Sequence, residues 1–150
     1  MLKEAIDEAQ PIKEAYVRSA AQILHAVASY LILERMATLK EDLLPAQLDA
    51  YLSAHFTERI NAVSVSEHLG IGKTQLYELS QQIYGCGIAE HIRDLRMEKA
   101  KTLLRERKDL TLAEVGAQCG YGDYNNFITV FSRETGNTPG AWRGSKQQRS

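Results

Sequence analysis

Two similar segments, one in the middle of the chain and one near its end, constrain the fold more than any other feature. Each starts with a capping-box pattern, over residues 64–67 or 111–114, in which a hydroxyl and a carboxylate can satisfy free amides at a helix start. Each continues through a short predicted helix to a glycine, Gly70 or Gly120, and then into a second helix. This order is typical of a helix-turn-helix, and its recurrence after 47 residues predicts two of them.

The second helix of each segment is predicted over residues 73–82 and 124–134. Asp123 is a good N-cap for the later helix, whereas Gly72 holds the same place before the earlier one and is a weaker cap. Between the segments, residues 88–107 are predicted to form a helix with apolar residues over nearly half of its circumference. So wide a stripe suits a linker helix that packs against one helix-turn-helix at its front end and the other at its back end.

Before the repeat, residues 11–40 are predicted to form one long helix, and Pro45 is predicted to start a second, short one. The long helix is apolar on more than one face, so we expect it to be covered. It looks like the last helix of a sensor domain or a connector that forms a homodimer. The predicted fold class is all-α, with these regions: 1–44, an N-terminal connector or dimerisation helix; 45–144, a tandem helix-turn-helix domain; 145–150, a polar tail.

Charge is distributed unevenly along the chain: the net charge is −3 over residues 1–55 and +2 over residues 56–150. The difference weakly favours a polyanion as the partner of the second region, which must then depend on individually placed charges. No glycine-rich phosphate loop, nucleophile with a base, or paired carboxylates appear, so an enzyme is not expected. No signal peptide or stretch long enough to span a bilayer is apparent, which predicts a cytoplasmic protein without a membrane partner.

The cysteines and histidines give no sign of a metal or cofactor site. Cys86 and Cys119 lie singly within apolar patterns, which favours reduced thiols that pack as small hydrophobic residues. The four histidines are scattered and form no pair at ligand spacing. The predicted core of the two helix-turn-helix segments consists of Leu69, Ile71, Leu76, Leu79, Val115, Tyr121, Phe127, Phe131 and Trp142.

From about residue 48 to residue 143 the chain strongly resembles the AraC/XylS family of bacterial transcription regulators. The segments that match the family pattern are 92–104 in the linker helix, 120–127 and 131–136 around the second helix-turn-helix, and Thr138-Pro139 with Trp142-Arg143 after it. The family usually has phenylalanine at Ser80, tyrosine at His91 and a serine-like cap at Gly72. These departures predict that the first helix-turn-helix packs more loosely, or binds DNA less tightly, than the second.

The resemblance implies that DNA is contacted by one side of each second helix. The implied contact residues are Lys73, Thr74, Gln75, Tyr77 and Glu78 in the first and Tyr124, Asn125, Asn126, Ile128 and Thr129 in the second. Asn and Gln can form two hydrogen bonds with adenine and Glu can accept one from cytosine, whereas no arginine stands at a base-facing position. We therefore expect weak guanine recognition and more dependence on A·T pairs and DNA shape.

Several of these residues have an alternative role. Asn125 and Asn126 could cap their helix, the two tyrosines could pack, and Glu78 could simply be solvated, whereas Lys73 at a helix start is expected to bind phosphate. Arg96 lies within the apolar stripe of the linker, so we expect it to bond to a carboxylate or carbonyl. The further candidates for contacts with the DNA backbone are Arg93, Lys101, Arg133 and Arg143.

The function implied by the resemblance is that of a sequence-specific regulator, most often an activator that also contacts RNA polymerase. The chain is expected to be either the C-terminal piece of a larger regulator with a sensor domain or a short stand-alone regulator, and the long N-terminal helix favours the first. A linker helix of about 30 Å can hold two helices one turn of B-DNA apart, which is about 34 Å. The partners expected are double-stranded DNA, RNA polymerase and a second copy of the chain through residues 11–40. The alternative is a helical protein-interaction module that has lost DNA binding, and the near-neutral charge, Gly72 and Glu78 keep that alternative open.

Overall fold

The computed structural model describes the backbone of residues 2–145 and the side chains of residues 11–145. Within the described backbone there are helices and no strand, which confirms the all-α prediction. The helices are α1 (Leu2–His55), α2 (Ala62–Leu69), α3 (Lys73–Tyr84), α4 (Ile88–Glu106), α5 (Leu112–Gln118), α6 (Tyr124–Thr135) and α7 (Pro139–Ser145). The chain divides into two compact parts, of which the first ends at Leu43 and the second starts at Leu44.

Helix α1 is a single helix of 54 residues. The predicted break before Pro45 is therefore wrong, although proline lacks the N–H that would bond four residues back. Leu44, Leu48 and Leu52 are almost completely buried. Because this packing holds the backbone next to the proline and after it, it offsets the lost hydrogen bond and the helix continues to His55.

The second part contains two hydrophobic clusters, and α4 contributes to both. Its N-terminal residues Ile88 and Ile92 pack in the first cluster with residues from α1, α2 and α3. Its later residues Met97, Ala100 and Leu104 pack in the second cluster with residues from α5 and α6. The predicted role of this linker helix, packing one helix-turn-helix at each end, is confirmed.

All nine predicted core residues belong to these clusters. Leu69, Leu76, Val115, Tyr121, Phe127 and Phe131 are buried, and Ile71, Leu79 and Trp142 are partly buried against them. Burial raises the pKa of the Cys119 thiol to about 11, so this cysteine stays a neutral packing residue at physiological pH.

The first helix-turn-helix starts earlier than predicted. The N-cap of α2 is Asn61, whose side chain accepts from the amides of Val63 and Ser64, and Ser64 in turn bonds to the Asn61 amide. The predicted box at 64–67 is therefore wrong, because the helix starts three residues earlier, at Asn61, and the Asn61 side chain satisfies the free amides of its first turn. The box at Thr111 and Glu114 is confirmed, and the two N-caps, Asn61 and Thr111, are 50 residues apart.

Helix α7 was not predicted. Its start has recognisable signals, since the Thr138 hydroxyl accepts from the amide of Ala141 at 3.2 Å and Pro139 occupies the first helical position. Trp142 on this helix packs edge-on against Phe131, with ring centroids 6.0 Å apart, so α7 covers the second cluster. Except for Ser145, the predicted polar tail 145–150 lies outside the described residues.

Candidate DNA-binding site

Helix α3 presents one polar face to solvent. All five predicted contact residues on it, namely Lys73, Thr74, Gln75, Tyr77 and Glu78, are exposed. Its opposite face buries Leu76 and Ser80. The N-cap, Gly72, makes no side-chain cap hydrogen bond, as its lack of a side chain requires. The first amides of α3 are therefore open to an anion from outside the protein.

Helix α6 is arranged similarly but is capped. Both Asp123 carboxylate oxygens accept from backbone amides, one from Asn125 at 3.2 Å and the other from Asn126 at 3.3 Å. The alternative in which the Asn125 and Asn126 side chains cap α6 is therefore wrong, because Asp123 is the N-cap. Both asparagine side chains are exposed. Tyr124 and Thr129 are also exposed, whereas Ile128 is half-buried. The outward face of α6 thus offers two amide side chains to a partner.

Arg96 connects the two helix-turn-helix segments. Its Nε donates to the carbonyl of Phe56 at 2.6 Å, and a second guanidinium nitrogen donates to the carbonyl of Glu58 at 2.8 Å. Its guanidinium also lies over the ring of Tyr121, 5.5 Å from the centroid. Phe56 packs on the first cluster and Tyr121 belongs to the second. The prediction that Arg96 finds a carboxylate or carbonyl partner is confirmed. Through Phe56 and Tyr121, the contacts of Arg96 reach residues of both hydrophobic clusters.

A close backbone approach occurs at the same junction. Gly120, in the turn between α5 and α6, has φ +93°, which favours glycine. A Cβ there would lie 2.6 Å from the carbonyl oxygen of Thr57. The segment between α1 and α2, residues 56–61, is therefore held by Arg96 and by the turn of the second helix-turn-helix. Sequence reasoning missed this segment because it has no periodic pattern.

The four further candidate cations already have partners within the protein. Arg93 lies 3.2 Å from a Glu134 oxygen and links α4 to α6. Lys101 donates to Glu98 at 2.7 Å, and Arg133 contacts Glu134 at 3.2 Å. Arg143 is half-buried and donates to the carbonyl of Leu110 at 2.9 Å. These contacts make Arg93 and Arg143 less available to a ligand than the exposed Lys73.

The departures from the family pattern in the first helix-turn-helix are accommodated by specific contacts. Ser80 is completely buried, and its hydroxyl donates to the carbonyl of Cys86 at 2.6 Å. His91 stacks on Tyr84 with ring centroids 3.6 Å apart, and burial lowers the pKa of His91 so that the neutral ring is favoured. Both positions are therefore filled by groups that bond or stack within the protein.

Comparison with known proteins identifies the family. The family model described as a helix-turn-helix domain matches residues 65–145, which is more than half of the chain. The chain belongs to the AraC/XylS family. The match contains α3 to α7, so it includes both exposed helices and the linker between them.

Two curated relatives and a solved structure are similar to this domain. The chain is 42% identical over 76 residues to the HTH-type transcriptional activator RhaR of Cronobacter sakazakii, a match covering 51% of this chain and 26% of that protein. It is 34% identical over 109 residues to the HTH-type transcriptional activator RhaS of Salmonella schwarzengrund, covering 69% and 39% respectively. The chain therefore spans less than half the length of either relative.

Among solved structures, the C-terminal domain of the two-component response regulator yesN from Fusobacterium nucleatum is similar, with a TM-score of 0.62 and 27% identity. The match covers 65% of this chain and 95% of that one. Within the described part of the chain, no helix is both long and apolar enough to cross a membrane. In the same part, no group of three or more His, Cys, Asp or Glu side chains is placed to hold a metal ion.

Proposed function

We propose that this chain is the DNA-binding part of a transcription activator that places α3 and α6 in successive major grooves. The observation that carries the proposal is the pair of exposed polar helix faces on a scaffold whose linker, α4, belongs to both hydrophobic clusters. At 19 residues α4 is about 28 Å long, close to one turn of B-DNA. The names of the relatives support activation, which implies contact with RNA polymerase in the cytoplasm.

The two helices contribute differently to the proposed contact. The uncapped start of α3, together with Lys73, suits a phosphate oxygen. Asp123 already occupies the corresponding amides of α6, so this helix depends on the side chains of Asn125 and Asn126 for adenine. Lys101 and Arg133 remain candidates for backbone contacts, and we assign Arg93 and Arg143 chiefly to holding the fold.

Selection of bound duplexes from a random pool tests this function directly. The expected motif has two half-sites about one helical turn apart, dominated by A·T pairs because neither helix presents an arginine to the bases.

Asn125→Ala should relax the base preference at one position of the motif, at a cost of about 1–3 kcal/mol of binding free energy. Lys73→Ala should weaken all sequences alike and lower the slope of log affinity against log salt by about 1.

Asn137→Ala is a matched control, since Asn137 is exposed and lies beyond the end of α6. This variant should select the same motif as the parent chain. A selected motif dominated by guanines, the bases that arginine normally recognises, would contradict the expected preference for A·T pairs. Absence of retained duplex for the parent chain would instead favour the alternative, a helical module that acts through protein contacts.

The exposed apolar residues of α1 support a homodimer as a second part of the proposal. At 100° per residue, the exposed apolar residues between 12 and 31 fall within an arc of about 140° of the helix circumference. The exposed apolar residues between 32 and 43 fall on the opposite side of the helix. Ile23 and Val27 in the first group are 64% and 49% exposed, respectively. A stripe of this kind is stable in water only when it is covered. We assign the first group to contact with a second copy of the chain.

Sedimentation measures this association. The chain is expected to sediment as a dimer, and the double substitution Ile23→Glu with Val27→Glu should give a monomer because it places four carboxylates in one interface. Glu14→Gln with Arg18→Gln, on the polar side of the same segment, is the control and should leave the dimer intact. A monomer mass for the parent chain would remove the dimer from the proposal.

A further inference from the structure

Arg59 stands apart from the other arginines of the DNA-binding part. Seven arginines lie between residues 44 and 145, and six of them have an ion pair or hydrogen bond within the described structure: Arg93, Arg96, Arg105, Arg107, Arg133 and Arg143. Arg59 is exposed and has no such partner among the described residues. Its charge is therefore available to a ligand from outside.

The backbone around Arg59 is nevertheless fixed. Arg96 binds the carbonyls of Phe56 and Glu58, and Thr57 lies against Gly120. Next to Arg59, the amide of Ile60 donates to the carbonyl of Glu58 at 2.9 Å. Arg59 is thus an exposed cation on an anchored segment, so binding through it would cost little ordering of the backbone.

The guanidinium of Arg59 is placed beside the start of α6. One of its terminal nitrogens lies 3.8 Å from the position that a Cβ of Gly122 would occupy. Gly122 immediately precedes Asp123, the N-cap of α6. Because the side chains of the first turn of α6 are those proposed to enter a major groove, Arg59 is placed where the sugar-phosphate strand bordering that groove would pass.

We propose that Arg59 binds a DNA phosphate beside the start of α6, so that the segment between α1 and α2 is a third DNA-contacting element. The inference rests on the proposed function. A guanidinium suits a phosphate because its planar donors match two oxygens and because it is more weakly hydrated than an ammonium group. Neither α3 nor α6 presents an arginine to the bases. The segment between α1 and α2 would instead present one, Arg59, to the phosphates of the DNA strand. This contact fixes the position of α6 without selecting a sequence.

The test compares Arg59→Ala and Arg59→Lys with the parent chain on the selected duplex and on a scrambled duplex over a range of salt concentrations. Arg59→Ala is expected to weaken binding to both duplexes several-fold and to lower the slope of log affinity against log salt by about 1. Arg59→Lys should retain the slope, because it keeps the charge. Thermal melting should match that of the parent chain, since Arg59 has no ion pair or hydrogen bond with any described residue.

Arg105→Ala is the matched control: it removes one exposed arginine from the last turn of α4 and should leave the slope unchanged. If Arg59→Ala and Arg105→Ala give the same slope and affinity as a DNA-binding parent chain, the inference is wrong while the proposed function stands. A loss confined to the selected duplex would also overturn it, because it would mean a base contact. Failure of the parent chain to bind either duplex would reject the proposed function itself.

Discussion

Replacing Phe127 with alanine is expected to lower the free energy of unfolding of the DNA-binding part by about 3–5 kcal/mol. The ring is completely buried and packs against Tyr121 and Phe131, with centroids 5.5 Å and 5.7 Å away. It also faces Gly116 so closely that a Cβ there would lie 2.9 Å from the ring. The substitution therefore opens a cavity where α5 and α6 meet, and the surrounding backbone can close it only in part.

Urea unfolding followed by circular dichroism measures this loss. Tyr77→Ala is the matched control, since it removes an aromatic ring that is 59% exposed on α3. Its effect should be within about 0.5 kcal/mol. An unchanged urea midpoint for Phe127→Ala would mean that the second cluster does not depend on this ring. The expected loss is a large share of the 5–15 kcal/mol that is typical of small domains.

Helices α3, α4 and α6 could be predicted because local signals determine them. Each has an apolar stripe at helical spacing, and glycines or an N-cap mark where α3 and α6 begin and end. The start of α2 was harder to predict, since Asn61 and Ser64 both fit an N-cap. The hydrogen bonds decide between them: the Asn61 side chain accepts from the amides of Val63 and Ser64, and the Ser64 hydroxyl accepts from the Asn61 amide.

Pro45 shows where local reasoning fails. A proline at that position normally ends a helix, and the sequence contains no local signal that overrides this preference. The override comes from residues distant in sequence, because Leu44, Leu48 and Leu52 are buried in a cluster with residues of α2, α3 and α4. Such tertiary packing outweighs propensity but cannot be deduced from a window of neighbouring residues.

In the candidate site, too, features set by local periodicity could be predicted, whereas features set by residues distant in sequence could not. The exposed faces of α3 and α6 follow from periodicity, so the outward position of Lys73 and Asn125 could be predicted. The need of Arg96 for a partner could also be predicted from its place in an apolar stripe. The identity of that partner could not, because Phe56 is 40 residues away. Arg59 shows no pattern in the sequence, since the role proposed for it depends on a neighbour, Gly122, that lies 63 residues later in the chain.

The contacts of Arg96 lead to the second large expected effect. Arg96→Met should reduce affinity for a duplex with two half-sites about ten- to a hundredfold, because α4 still joins the two clusters but loses its tie to the segment between α1 and α2, so that the spacing of the two units is held less rigidly. Methionine keeps the apolar stem that packs in the α4 stripe but removes the donors to the Phe56 and Glu58 carbonyls. Without them, the segment between α1 and α2 is no longer tied to α4.

Binding to duplexes with one or two half-sites separates this effect from a direct DNA contact. Affinity for a single half-site should change less than about threefold, since Arg96 bonds within the protein and the outward residues of α3 and α6 are unchanged. Arg105→Met, on the same helix but paired among the described residues with Glu106 alone, is the control and should behave like the parent chain on both duplexes. Equal losses on the single and double half-sites would contradict a positioning role. A residue that sets the distance between two bound helices matters only when both are bound.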